Sequence, residues 1–355
     1  MKTQRETVLI TGAGGFVGGT IVEALHASPS FALRAGIGRW TSAPRIARLA
    51  VPMVQCDIMR PDQLSAAMRG VDHVIHCATS DDLRVITEGT ANVLAAARAA
   101  GVGRVVHLSS IAVYGGATGV VQEDTPAPAG TLSPYGEAKR QAEATCREAA
   151  RQGQAVVMLR PTIVYGPFSE RWTVLYAMRL QARRWGELGP AGEGMCNLVH
   201  VHDVARYAIA ALHAKGADGE AFNINGPEVV SWNEYFRRFN DGLGLPPLEP
   251  RPPRNAQLMA RLTQPVRVAG KIALKRFSPQ LVWLSQKSDR AKHLLKETEL
   301  TLRCTPNEDE LRLFGLDAVY PTTKAERVFG FPPRVDIAAG LAMTVAWLRH
   351  ISDAA

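Results

Sequence analysis

Apolar positions in the first two thirds of the chain fall in short continuous runs, separated by stretches with helical spacing. TVLITG (7–12) is a β-rich run ending in glycine, and residues 16–27 follow with helical periodicity. LRAGI (33–37), HVIHCA (73–78), RVVHLSS (104–110) and AVVMLRP (155–161) repeat the strand pattern. Between them Pro61–Met68, residues 88–100 and residues 135–151 read as helices. The second of these ends at Gly101, a natural C-cap. Strands that are apolar at every position are buried on both faces. Their alternation with helices predicts an α/β fold, a doubly wound (Rossmann-type) parallel sheet with helices on both sides. The rhythm breaks at the Pro/Gly-rich stretch 242–253 (GLGLPPLEPRPP), after which the segments are basic and amphipathic.

The 355 residues suggest two domains. Composition adds little to that, with 46% hydrophobic and 21% charged residues being ordinary for a globular chain. The five cysteines, Cys56, Cys77, Cys146, Cys196 and Cys304, are odd in number and none form a CxxC pair. That argues for a reducing, cytoplasmic setting and against a disulfide framework or a zinc site. The N-terminus lacks the apolar core of a signal peptide, and no run of about 18 apolar residues is present to span a membrane.

Charge changes the picture more. The net +8 comes largely from 251–296, where Asp289 is the only acid among many Lys and Arg residues. The rest of the chain is near neutral, so a nucleic-acid partner is not expected. Within residues 257–287, Arg267, Lys271 and Lys275 recur every four positions, and Val266, Ala269, Ala273 and Phe277 share a neighbouring face. Such a basic amphipathic stretch suits peripheral contact with an anionic membrane, or a lid over an apolar substrate, besides ordinary packing as a surface helix.

The first strand runs into Gly12-Ala-Gly14-Gly15-Phe16-Val17-Gly18 and then a helix. Glycines let the backbone turn sharply and approach a diphosphate, and the following helix N-terminus offers free N–H groups. The GxGxxG spacing fails because Val17 stands at its last glycine; Gly12, Gly15 and Gly18 carry the spacing that holds. No Lys precedes Thr20, so a P-loop fails as well. At the first strand–helix turn, this pattern points to a dinucleotide, with Gly12, Gly14, Gly15, Phe16, Val17 and Gly18 as its contacts. The second strand ends Ile37-Gly38-Arg39, without the acid that usually binds the ribose hydroxyls of NAD. Arg39, assisted by Arg45 or Arg48, suits a 2′-phosphate, which favours NADP and leaves NAD as the alternative.

Tyr135 and Lys139 lie four apart at a helix start and share a face. Ser109 and Ser110 end a strand at the carboxyl edge, where α/β sheets bind ligands. A neighbouring ammonium stabilises a phenolate and brings a Tyr towards working pH. Tyr135 is then the candidate acid/base, Ser110 the group that holds the substrate oxygen, and Lys139 the group that tunes Tyr135.

In chain order, TGAGGFVG (11–18), CDI (56–58), HCAT (76–79), HLSSIAVYG (107–115), SPYGEAK (133–139), LRPTIVYGP (159–167), NLVHVHDVA (197–205) and FNINGPE (222–228) resemble the extended short-chain dehydrogenase/reductases, the NAD-dependent epimerase/dehydratase family. AERVFGFPPRVDIAAGL (325–341) is similar to the last helices of that family. The resemblance implies a dinucleotide-binding domain at 1–170 with 197–225 returning to it. A substrate-binding domain is implied at 171–196 and 226–355, with 251–296 as its basic helical segment. It implies that Asp57 and Ile58 contact adenine, that Cys77, Ala78 and Thr79 line the cofactor, and that Pro161, Ile163 and Val164 face the nicotinamide. Ser110, three before the VYG, is the implied catalytic serine, and Ser109 stays a cofactor contact. Lys139 would also hold the nicotinamide ribose. Ser80, Tyr165, Arg171 and Asn197 join Ser110 as substrate candidates.

Departures from the family pattern narrow the reaction. Ile111-Ala112 stands where dehydratases carry Asp-Glu, so dehydration is disfavoured. Cys196 and Asn197 stand where nucleotide-sugar members often place an Arg, although Arg171, Arg179, Arg183 or Arg184 offers another hold on a diphosphate. Ile86 replaces a common Asn. His76 and His107 read as core histidines. His200 and His202 lack a third ligand, and no metal is expected. The expectation is an NADP-dependent oxidoreductase acting on a carbonyl or secondary alcohol of a small molecule, with a homodimer as the expected assembly. The alternatives are a nucleotide-sugar epimerase that retains its cofactor and an idle NADP-binding scaffold.

Overall fold

A computed structural model describes residues 5–353 apart from 29, 251–296, 298 and 299. The basic stretch 257–287 therefore lies outside the described residues. The chain divides into two compact units. The first comprises 1–165, 197–228 and 318–337, and the second 166–196, 229–317 and 338–355.

The first unit is built on seven strands: β1 (Glu6–Thr11), β2 (Phe31–Ile37), β3 (Met53–Gln55), β4 (His73–His76), β5 (Arg104–Leu108), β7 (Val156–Pro161) and β10 (Ala221–Ile224). Their order across the sheet is β10-β7-β5-β4-β1-β2-β3, and every pair is parallel. The order reverses between β1 and β4, the switch point where doubly wound sheets bind ligands.

The continuous apolar strands feed two separate cores, one on each face. Val8 and Ile10 of β1 pack with Val106, Leu108, Val157 and Leu159 on one side. Leu9 packs with Val74, Val105, Val156 and Met158 on the other. Side chains alternate along a strand, so every residue of a doubly covered strand must be apolar. The first face is closed by α1 (Phe16–His26) and α7 (Val201–Ala210), the second by α3 (Pro61–Ala67), α4 (Leu83–Ala99) and α5 (Pro134–Arg151). The sequence places the start of α4 at residue 88. It begins at Leu83 because the Asp82 carboxylate caps the helix, accepting from Arg84 N–H at 3.1 Å.

The second correction concerns domain boundaries. The sequence puts all of 226–355 in one domain, but 318–337 belongs to the first unit. Strand β12 (Ala318–Val319) pairs there with β6 (Gly119–Val120). Buried Asn197 and Asn225 tie it down, Asn197 Nδ2 donating to Ala318 O at 2.8 Å and Asn225 Nδ2 to Tyr320 O at 3.3 Å.

The second unit has an aromatic core. Tyr176 of α6 (Leu175–Gln181) packs on Trp172, Trp185, Trp232 and Phe236, and Trp232 packs on Phe314. Arg179 lies 4.4 Å from the Trp185 ring centroid and pairs with Glu310 at 2.8 Å, so its charge is both stacked and neutralised inside the unit.

Candidate active site

The glycine turn is shaped for close approach. Gly12 has φ of +70°, and a Cβ there would meet the Ala78 backbone at 2.7 Å. A Cβ on Gly18 would strike Gly12 O, and one on Gly14 would strike Ser42 O. A side chain is therefore excluded at all three positions. Gly15 is the N-cap of α1, and no side chain caps that helix. The first N–H groups of a helix have no intrahelical partner, so this end is open to an anion and carries the positive end of the dipole. The residues present fit a dinucleotide diphosphate.

The loop after β2 lies directly over this turn, as the contact between Gly14 and Ser42 shows. Arg39 at the start of that loop is exposed and makes no ion pair with a described residue. Arg45 and Arg48, its suggested assistants, are already committed. Both reach Glu23 at 2.7 Å, and Arg45 also donates to Phe16 O and Thr20 Oγ1. They brace α2 (Pro44–Ala47) and its C-terminal residue against α1 rather than facing a ligand.

Ile58 is buried, and the Asp57 carboxylate accepts from Met59 N–H at 3.0 Å, closing its own turn. Cys77 and Ala78 continue β4 past its last strand residue, with Cys77 N–H donating to Thr11 O at 3.1 Å; Thr79 and Ser80 are exposed. Pro161 and Ile163 are buried and Val164 is half-buried.

The two serines at the end of β5 part ways. Ser110 is half-buried and caps a single 3₁₀ turn, 111–114, accepting from Ala112 N–H at 3.2 Å. Ser109 is fully buried and donates to Glu143 Oε1 at 2.6 Å. Its proton is spent there, so its hydroxyl can meet a cofactor only as an acceptor. Side chains alternate at an extended strand end, so only one of the pair faces the open edge.

Tyr135 lies in the first turn of α5 and is 40% exposed, whereas Lys139, one turn on, is buried. Lys139 Nζ lies 5.9 Å from the Tyr135 ring centroid and donates to Leu108 O at 2.7 Å, at the base of the serine pair. Burial pushes the Lys139 ammonium down to about 8, against partial support from Cys77, Cys146 and Glu143. Its charge is thus confined to a low-dielectric site beside the phenol, where it acts most strongly on it. Gly136 between them allows the serine turn to close on the helix, since a Cβ there would strike Ala112 O. This contact joins Ser110 and Tyr135, and nothing in the sequence spacing announces it.

The Lys139 shift has a measurable consequence for stability. The folded group loses its proton near pH 8 and the unfolded one near 10.5, so between those values the unfolded state holds more protons. Lys139 by itself makes stability rise with pH across that window, whereas the buried thiols of Cys56, Cys77 and Cys146, pushed up to about 12 from 9.0, lower it above about pH 9. The difference in urea midpoint between the parent and Lys139→Met should therefore move in the parent's favour as pH rises.

Behind the site runs a second network that sequence reasoning missed. Glu143, one turn beyond Lys139, is held by Arg160 through two contacts of 2.8 and 2.6 Å. Arg160 also donates to the Tyr114 hydroxyl at 2.6 Å, which in turn donates to Asn223 Oδ1 at 2.6 Å. His76 and His107 are core histidines, as expected. Thr90 donates to Ile86 O, so His76 donates to Thr90 and accepts from Thr11 at 2.8 Å; burial holds it down at about 3.

Two substrate candidates have their polar groups engaged inside the protein. Asn197 is buried, and its amide is spent on Ala318, Asn225 and Tyr320. Tyr165 is buried and donates to Asp336 O at 3.3 Å. Arg171, in the second unit, is exposed with its guanidinium 5.2 Å from the Trp172 ring centroid.

A buried Lys under an exposed Tyr and a glycine turn shaped for a diphosphate, both at the carboxyl edge of one doubly wound sheet, suit an enzyme that uses a nicotinamide dinucleotide. Comparison with known proteins agrees. Residues 8–225 match the NAD dependent epimerase/dehydratase family, and the chain belongs to that family. It is 26% identical to a 2-alkyl-3-oxoalkanoate reductase of Stenotrophomonas maltophilia over 94% of this chain and 97% of that protein. It is 27% identical to sterol demethylase protein B of Methylococcus capsulatus, over 97% and 98%. Among solved structures it is similar to the UDP-glucose 4-epimerase of Thermotoga maritima bound to UDP-glucose. That match has a TM-score of 0.70 and 19% identity, and covers 98% of this chain and 99% of that one. Among the described residues no helix is long and apolar enough to cross a membrane.

Proposed function

We propose that this enzyme is an NADP-dependent reductase or dehydrogenase acting on a ketone or secondary alcohol of a predominantly apolar small molecule. The observation that carries the reading is Lys139 buried beneath the exposed Tyr135, at the strand end that presents Ser110. When bound, the dinucleotide supplies or receives the hydride. Ser110 holds the substrate oxygen. In reduction Tyr135 gives that oxygen its proton, and in oxidation it takes the proton back. Lys139 keeps the resulting phenolate accessible. Gly12, Gly14 and Gly18 and the open end of α1 hold the diphosphate.

Two further observations favour simple redox chemistry. Ile111 and Ala112 carry no group that could eliminate water. Of the four arginines that offered a hold on a nucleotide-sugar diphosphate, Arg179, Arg183 and Arg184 are engaged with Glu310, Pro246 O and Glu297, and Arg171 is exposed beside Trp172. The near full-length likeness to proteins named for 2-alkyl-3-oxoalkanoate reduction and sterol demethylation supports an apolar substrate.

The test is to incubate the protein with NADPH and a panel of 2-alkyl-3-oxo acids, hydroxysteroids and UDP-sugars. The expected outcome is stoichiometric NADPH oxidation with an apolar ketone. Interconversion of a UDP-sugar without net NADPH consumption would replace this reading with the epimerase. In the same assay Arg39→Ala should weaken NADPH by about 10- to 150-fold, the worth of one charge-assisted contact of about 1.5–3 kcal/mol, and leave NADH nearly unchanged. Equal dissociation constants for the two cofactors in the parent would remove the 2′-phosphate role.

A further inference from the structure

The rim of the seven-stranded sheet opposite the glycine turn gathers three residues that are far apart in sequence. Glu6 opens β1, His73 opens β4, and His213 sits in the turn after α7. One ligand atom from each lies within 4.8 Å of the other two. Glu6 Oε2 stands 3.0 Å from His213 Nε2 and 3.6 Å from His73 Nε2. Zinc held tetrahedrally by nitrogen and oxygen donors at about 2.0–2.1 Å places them about 3.3–3.4 Å apart; the two spacings from Glu6 bracket that value, and the two imidazole nitrogens lie within 4.8 Å of each other.

A second, independent observation points to a ligand. His73 is buried at 9% exposure, and neither of its ring nitrogens has a hydrogen-bond partner. A buried polar atom without a partner costs free energy that a coordinate bond would recover. His213 is held in place from behind. Arg104 donates to Ala211 O, Leu212 O and Ala214 O at 3.1, 3.2 and 3.0 Å and pairs with Asp218 at 2.9 Å. The His213 ring also stacks on Phe31, 5.7 Å between centroids and 12° between planes. Glu6 and His73 are fixed relative to each other because β1 and β4 are paired, with Val8 opposite His73.

We infer that Glu6, His73 and His213 form a binding site for a divalent transition metal of the zinc type, remote from the cofactor turn. Two imidazoles and one carboxylate suit zinc, cobalt or nickel and do not suit magnesium or calcium, which take oxygen donors. Glu6 and His213 are exposed, which gives the ion an entry path and leaves a fourth position for water. A metal there joins β1, β4 and the turn after α7. It binds the folded state and so raises stability in proportion to its concentration over its dissociation constant.

The test uses the full-length protein freed of metal with EDTA. Zinc chloride is titrated by calorimetry and by thermal unfolding, and cobalt chloride by visible absorption. The expected results are one zinc per chain, a concentration-dependent rise in melting temperature, no effect of magnesium chloride, and a cobalt spectrum without thiolate charge-transfer bands. The last distinguishes this site from the free cysteines. Glu6→Gln and His213→Asn, both at exposed positions, should each weaken zinc by about tenfold or more. No zinc-dependent shift in the parent, a shift that survives both substitutions, or thiolate bands with cobalt would each overturn the proposal.

Discussion

Replacing Tyr135 by Phe should lower kcat by about 10²- to 10⁴-fold while leaving the dissociation constant of the dinucleotide within a factor of about two, since general acid–base catalysis by one side chain is worth that much. The substitution removes one oxygen from a residue that is 40% exposed, so the fold has little reason to respond. The ring that stands 5.9 Å from Lys139 Nζ is kept, and so is the bond from Lys139 to Leu108 O. In the proposed mechanism, what disappears is the proton that must reach the substrate oxygen as hydride reaches its carbon. Lys139 cannot take over, because its ammonium is buried and tied to a carbonyl. Single-turnover kinetics with NADPH, together with a fluorescence titration of the cofactor, separates the two effects. Near-parent turnover in Tyr135→Phe would make the Tyr–Lys pair a structural feature of α5 and would remove the proposed mechanism.

Much of this site was legible in the sequence because its parts sit at fixed chain offsets. Four residues separate Tyr135 from Lys139, and a helix puts them on one face. Ser109 and Ser110 are consecutive at a strand end, so alternation sends one inward and one to the edge. The strands were legible because both their faces are buried. The shortest strand of the seven, β3 (Met53–Gln55), offers too few residues for a pattern. What stayed hidden depends on pairs distant in sequence. Gly14 meets Ser42, Gly136 meets Ala112, and Glu143 meets Arg160 only once the sheet is assembled. The same holds for Asn197. Its place beside a family motif suggested a substrate, but its partners Ala318 and Tyr320 come from a segment that the family resemblance assigned to the other domain.

Arg160→Met should cost about 3–5 kcal/mol of stability, more than any other single change considered, because it strands a buried carboxylate. Glu143 is 1% exposed, with Arg160 bridging both of its oxygens and Ser109 donating to one. Burial alone would push the Glu143 carboxyl up, but the Arg160 bonds and charge, with Ser109 and Arg147, outweigh it and hold it below the ordinary value of 4.5. The pair therefore stabilises the fold above about pH 4.5, and that contribution is lost as pH falls through the lower folded value. Removing the guanidinium leaves Glu143 with the Ser109 hydroxyl and with Arg147, which is 42% exposed and a weak substitute. It also frees the Tyr114 hydroxyl and Glu123 O. Urea unfolding at pH 7 should show the loss, and the difference from the parent should shrink at acid pH. The double variant Glu143→Leu, Arg160→Met should recover most of it, since a buried pair replaced by apolar groups is often neutral, whereas a broken one is not. In the proposed mechanism Glu143 acts only through position: it ties Ser109 at the end of β5 to the middle of α5, and with them Ser110 and Tyr135. In Arg160→Met the fall in kcat should therefore be accompanied by a changed KM, whereas Tyr135→Phe should leave binding intact. An Arg160→Met protein with parent stability would show that the network is solvated and carries no load in the fold.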